Sequence, residues 1–137
     1  MSLPRKNRLK RQQDFTAVYK FGRRCSTPHL TIRVLSQESR IQKLIPDSVQ
    51  WRTGESKNAW EETQIGISIS RKVSKRAVIR NRIKRRIQAV LRQLLPQCQK
   101  GCLIAIVVHP KAIQCEYRQF LRELEKLLVD AEVINGN

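Results

Sequence analysis

Nine Lys and Arg residues fall within the seventeen positions from Ser70 to Arg86, with no carboxylate among them. Asp and Glu are missing from the whole stretch between Thr63 and Cys115. Surface cations are ordinarily interspersed with acids, because unbalanced like charge repels itself and opposes compaction. A run without that compensation suits an external polyanion, and the phosphates of nucleic acid are the commonest one. Its centre is Arg80, Asn81, Arg82, Lys84 and Arg85. Guanidinium forks match phosphate oxygens, and the Asn81 amide can donate and accept at once.

Other chemistries find less support. Metal-assisted phosphodiester cleavage needs converging carboxylates, and the basic run offers none. His29 and His109 are far apart in sequence and each reads as a strand-end residue, so general acid–base catalysis has no evident pair. Cys25, Cys98, Cys102 and Cys115 show no C-x-x-C spacing. A zinc site would need Cys98, Cys102, Cys115 and His109 to converge, with spacing unlike that of closed sites. The thiols read as reduced and partly buried, and no catalytic residue and no polypeptide metal ligand is expected.

A chain of 137 residues with 40% hydrophobic content fits one domain with a modest core. The formal charge is +17 and the pI near 10.8. The segment from Ser36 to Glu62 is close to neutral, with Glu38, Asp47, Glu55, Glu61 and Glu62 against Arg40, Lys43, Arg52 and Lys57. Nearly all the excess charge therefore lies elsewhere. No apolar targeting segment opens the sequence, and the longest apolar run, Cys102 to Val108, is too short to span a bilayer. A cytoplasmic protein without membrane contact is expected.

The elements that position the basic run follow from periodicity. Residues 1–13 read as a flexible basic arm. Phe15, Val18 and Tyr19 share one face of a short helix ending at Gly22. Leu30, Ile32 and Val34 alternate as a strand, and a further short strand is expected near Cys25. Residues 36–62, rich in Ser, Gln and charge, read as a mobile insertion that Trp51 and Trp60 could pin locally. Ile65, Ile67 and Ile69 alternate in a second strand. A helix then runs from about Lys75 or Ala77 to Leu95, with Ile79, Ile83, Ile87, Val90 and Leu94 as its apolar stripe. Asn81, Arg85 and Arg92 lie opposite that stripe, Arg82 and Lys84 flank them, and Arg80 and Arg86 sit beside the stripe. Cys102 to Val108 reads as a central strand buried on both faces, and the last helix runs from about Glu116 to Asp130. The order implies an α+β domain, one sheet carrying helices on one side.

On spacing alone, Phe15 and Tyr19 are core residues more often than a stacking platform. An exposed edge would let them stack on unpaired nucleotides.

The Arg80-Asn81-Arg82-Ile83-Lys84-Arg85 motif, preceded by Ser70-Arg71-Lys72-Val73, resembles the protein subunit of bacterial ribonuclease P. Arg8-Leu9-Lys10, Asp14-Phe15, Val18-Tyr19-Lys20 and Gly101 with its apolar strand extend the likeness over most of the chain. The resemblance implies a two-layer α+β sandwich like the second domain of ribosomal protein S5. It has one mostly antiparallel sheet and a left-handed βαβ crossover that ordinary handedness rules would not predict. It implies a catalytic RNA subunit as partner, a stoichiometry of one protein per RNA, and removal of the 5′ leader from precursor tRNA. Catalysis would belong to the RNA, with Mg2+ held mainly by it. Carried over by position, Arg71, Lys72, Arg80, Asn81, Arg82, Lys84 and Arg85 would contact the catalytic RNA, and Phe15, Tyr19 and Arg33 the leader. Arg33 stands where an aromatic residue is common, which implies an electrostatic contact there. Gln88 stands where an Arg is common, with Arg86 as the partial substitute. The segment between Leu35 and Gln64 is longer than usual.

Three alternatives remain at this level: a ribosomal assembly protein using the same helix, an autonomous metal-dependent nuclease, and a duplex-DNA binder presenting Asn81 to a major groove.

Overall fold

The computed structural model describes residues 7–9, 12–35, 63–99 and 101–134. The insertion expected over 36–62, with Trp51 and Trp60, lies outside the described residues, as does most of the expected basic arm.

In chain order the elements are α1 (Gln12–Phe21), β1 (Arg23–Ser26), β2 (Leu30–Leu35), β3 (Gln64–Ile69), α2 (Ala77–Leu94), β4 (Leu103–Val108) and α3 (Tyr117–Asp130). Short 3-10 turns at Leu95–Gln97 and Pro110–Gln114 flank β4. One four-stranded sheet has the order β1-β2-β4-β3. β1 pairs antiparallel with β2, and β2 with β4, whereas β3 lies parallel to β4. The parallel pair requires a crossover, and α2 is the helix within it. This is the α+β architecture that the residue pattern implies, with the mostly antiparallel sheet that the resemblance implies.

The sheet has two unequal covered faces. Ile104, Ile106 and Val108 of β4 share a core with Leu30, Ile32 and Val34 of β2 and Ile65 of β3. α2 closes this face with Ile83, Ile87, Val90, Leu91 and Leu94, and α3 with Phe120, Leu124, Leu127 and Leu128. On the other face Leu103 and Ala105 of β4 and Leu35 of β2 pack with Ala17 and Val18 of α1. The expectation of helices on one side therefore fails for α1. The physical reason is visible in β4 itself: Leu103, Ile104, Ala105 and Ile106 are all almost fully buried. A strand with apolar side chains on both faces must be covered on both.

Where the arm expected over 1–13 is described, residues 7–9 lie against the sheet. Leu9 is buried and its N–H donates to the carbonyl of Ile65 at 3.0 Å. Arg8 bridges to Ile65 in parallel, and Asn7 Nδ2 donates to the carbonyl of Thr63 at 2.8 Å. This segment runs along β3, which is otherwise the open edge of the sheet. Gln12 is already in α1.

Candidate nucleic-acid interface

α2 is amphipathic, and every charged residue on it is a cation. No acid occupies its first turn, and its N-cap Arg76 makes no side-chain capping bond. Its buried residues Ile83, Ile87, Val90, Leu91 and Leu94 fix the rotation of the helix. That rotation leaves Asn81, Arg82, Lys84 and Arg85 exposed, as the stripe predicts. Arg71, Lys72, Lys75 and Arg76 are exposed on the loop leading from β3 into α2. Among the described residues from Thr63 to Cys115 no carboxylate is available to neutralise these cations.

Two cations of the run behave differently. Arg80 is half-buried, and its Nη1 donates to the Ser74 carbonyl at 2.8 Å, folding the loop back on the helix. Arg86 is half-buried as well, with Nη1 donating to the Cys115 carbonyl at 3.0 Å. Both sit at the edge of the stripe, so their stems cover the core while one end of the guanidinium holds backbone. Arg86 ties α2 to the approach of α3.

α1 and β3 bound an open groove of about 640 Å3, lined by Gln12, Phe15, Thr16, Tyr19, Lys20, Ile67 and Ser68. Phe15 is half-buried and Tyr19 is 39% exposed, so the pair presents ring surface rather than serving wholly as core. Gln12, Thr16 and Lys20 are not singled out by the sequence reading. The signal is nonetheless present: 12, 15, 16 and 19 follow the i, i+3, i+4, i+7 face of one helix.

Gly66 makes the groove floor possible. A Cβ there would meet Phe15 Cζ at 2.4 Å and Cε1 at 2.6 Å, with Leu9 Cβ at 3.3 Å behind. Only a residue without a side chain lets the Phe15 ring lie on β3. Gly66→Ala should therefore displace the ring, lower Tm by several degrees through overpacking of about 1–3 kcal/mol, and shift the Phe15 ring resonances. A substituted protein with unchanged Tm and unchanged ring shifts would show the ring does not rest there.

Arg33 lies outside this lining. Its Nη1 donates to the Tyr19 carbonyl at 3.1 Å, and its guanidinium carbon stands 5.3 Å from the centre of the Tyr19 ring. From β2 it holds Tyr19 in place by a hydrogen bond and a cation–π contact.

Among the described residues the two histidines do not pair as an acid–base site. The backbones of the two histidines meet, His109 N–H donating to the His29 carbonyl at 2.9 Å. Their side chains take separate partners: His29 Nδ1 lies 2.9 Å from a Glu123 oxygen, and His109 Nε2 lies 2.6 Å from Thr31 Oγ1. Cys98 is pushed up to about 11 by burial and then by Cys102, and Cys115 is raised by burial and then by Glu123. Thiols so shifted stay protonated near neutral pH and are poor nucleophiles. The described surface can thus bind anions and stack rings.

Three comparisons bear on this geometry. A family profile described as Ribonuclease P matches residues 3–132. The Ribonuclease P protein component of a Cyanothece species is 50% identical over 129 residues, covering 94% of this chain and 95% of its own length. That of Microcystis aeruginosa is 46% identical over 137 residues, covering both chains completely. Among solved structures, the Staphylococcus aureus RNase P protein superposes with a TM-score of 0.71 at 23% identity, covering 94% of this chain and 98% of its own. That likeness supports the fold. No described helix is long and apolar enough to cross a membrane.

Proposed function

The chain belongs to the Ribonuclease P protein component family, which serves tRNA 5′ processing, and from that premise we propose how its two surfaces divide the work. The exposed side of α2, with Asn81, Arg82, Lys84 and Arg85, together with Arg71 and Lys72 on the preceding loop, docks on the catalytic RNA. Arg80 shares in this surface by shaping the loop as well as by its charge. The groove between α1 and β3 takes the single-stranded 5′ leader of precursor tRNA, with bases stacking on Phe15 and Tyr19. Arg33 acts there through Tyr19. One protein serves one RNA, in the cytoplasm.

Bond breaking falls to the RNA in this reading. Mg2+ takes hard oxygen ligands in octahedral array, and the cationic face offers no carboxylate among its described residues. The residues of this interface do not fit a magnesium site, so no step is routed through a protein-held ion. What the polypeptide contributes is charge neutralisation, which lets two polyanions approach, and a docking groove that orients the leader.

The observation that carries this reading is the acid-free cationic face of α2, joined by one short loop to the strand that floors an aromatic groove. The test is reconstitution of the full chain with its RNA partner. Precursor tRNA should be cleaved at magnesium concentrations where the RNA alone is slow, and the affinity for the leader should fall steeply with salt. Absence of stimulation at every magnesium concentration would overturn the proposal. A photo-crosslinker at Tyr19 should label the leader. Labelling of ribosomal RNA instead would favour an assembly protein.

A further inference from the structure

Three side chains outside the cationic face and the groove converge from separate elements. His29 comes from the β1–β2 turn, Cys115 from the segment entering α3, and Glu123 from α3 itself. His29 Nδ1, Cys115 Sγ and a Glu123 carboxylate oxygen all lie within 4.8 Å of one another. Cys115 is buried, while the His29 side chain keeps 25% exposure, enough for an entry path. The cluster is also braced from outside. Thr27 Oγ1 donates to Glu123 Oε1 at 2.5 Å, and Arg86 holds the Cys115 carbonyl at 3.0 Å. His29 Nδ1 stands 3.1 Å from Oε1 and 2.9 Å from Oε2. Oε2 is itself buried, with the His29 ring as its ion-pair neighbour.

We propose that His29, Cys115 and Glu123 form a zinc-type site, binding one divalent cation through imidazole nitrogen, thiolate sulfur and carboxylate oxygen with water in the fourth position. The mixed sulfur, nitrogen and oxygen set suits zinc and excludes magnesium, which takes oxygen ligands. Zinc bonds of roughly 2.0–2.3 Å place tetrahedral ligand atoms about 3.5 Å apart, so this cluster closes by small side-chain rotations. The thiol gives up its proton to solvent as the metal–sulfur bond forms, and the imidazole carries its proton on Nε2 so that the Nδ1 lone pair meets the metal. Thiolate and carboxylate then offset the two charges of the ion. Thr27 occupies the other carboxylate oxygen and orients the ligand, as outer partners of metal sites do. The ion would staple the β1–β2 turn to α3, joining His29 to a residue 94 positions further along the chain. From sequence, Cys98, Cys102, Cys115 and His109 are an example of the ligands a zinc site would need, at spacing that argues against one. Folding keeps Cys115 from that set and supplies partners that no spacing rule connects.

The competing account is an ion pair between His29 and Glu123 with Cys115 as packing. The full-length chain, reduced and stripped of metal by chelation, separates the two without RNA. One equivalent of Co2+ should produce a thiolate-to-cobalt charge-transfer band with tetrahedral ligand-field absorption, and Zn2+ should displace it. Zn2+ at a hundredfold excess over Kd should raise Tm by roughly 10 °C. Cys115→Ser should abolish the band, Glu123→Gln should weaken binding at least tenfold, and Cys98→Ser should leave the band intact. Absence of the band in the unaltered protein, or its survival in Cys115→Ser, overturns the proposal. Should Cys115→Ser fail to fold, zinc-edge X-ray absorption of the unaltered protein decides. A shell with one sulfur supports the site, and a shell of nitrogen and oxygen alone overturns it.

Discussion

Replacing Arg82, Lys84 and Arg85 together by alanine is expected to weaken binding to the RNA partner by at least a hundredfold at moderate salt, with Tm essentially unchanged. All three side chains are exposed on the side of α2 facing away from Ile83, Ile87, Val90 and Leu94. Every phosphate left without its cation keeps its counterions, so the slope of log affinity against log salt should drop by about 2–3. Stability has little to lose, because no acid in the basic run pairs with these cations and their mutual repulsion is relieved. Arg80→Ala provides the contrast. Its Nη1 bond to the Ser74 carbonyl closes the loop that presents Arg71 and Lys72, so this variant should lose stability as well as affinity. Filter binding across a salt series, with calorimetry of the free protein, checks both. A large fall in Tm for the triple variant, or an unaltered salt slope, would mean these residues do not face the RNA.

The helices and strands are legible in the sequence because they rest on short-range pattern. The period of Ile79, Ile83, Ile87, Val90 and Leu94 sets the rotation of α2, and only Leu91 is missed from the buried set. The alternation of Leu30, Ile32 and Val34 gives β2 its face in the same way. What escapes depends on partners distant in sequence. Nothing local reveals that α1 crosses to the opposite face of the sheet, although the doubly apolar β4 demands a second cover. The docking of Leu9 on β3 is a backbone pairing and carries no compositional signature. Arg33 reads as a groove cation, and its contacts with the Tyr19 carbonyl and ring cannot be read from spacing. Arg80 and Arg86 carry the same charge as their neighbours. Only the carbonyls beside them, on a loop and ahead of α3, distinguish their role. The cationic face can be read from sequence because it is one helix. The groove is half-read because it needs two elements, and the His29–Cys115–Glu123 cluster goes unread because it needs three.

Ile83→Asp tests the helix register from the opposite direction and should abolish the fold. Ile83 is 1% exposed within the cluster formed by α2, α3 and the sheet. Its neighbours in sequence, Arg82 and Lys84, point outward and cannot reach inward to pair a buried carboxylate. An unpaired charge in such a site costs several kcal/mol even after relaxation, and the lost aliphatic packing adds about 2–5 kcal/mol. Together these match the whole stability of an ordinary domain, about 5–15 kcal/mol. The variant should show no cooperative thermal transition near that of the unaltered protein, and RNA binding should retain only a weak, salt-sensitive remnant from its charge. Ile83→Val, which removes one methylene from the same place, should lower stability by only about 0.5–1.5 kcal/mol and leave RNA affinity intact. The pair of outcomes separates the two sides of one helix: a single added charge inside destroys the structure, and three removed outside leave it standing. A normal melting transition for Ile83→Asp would place residue 83 on the surface and reverse the assignment of every cation on α2.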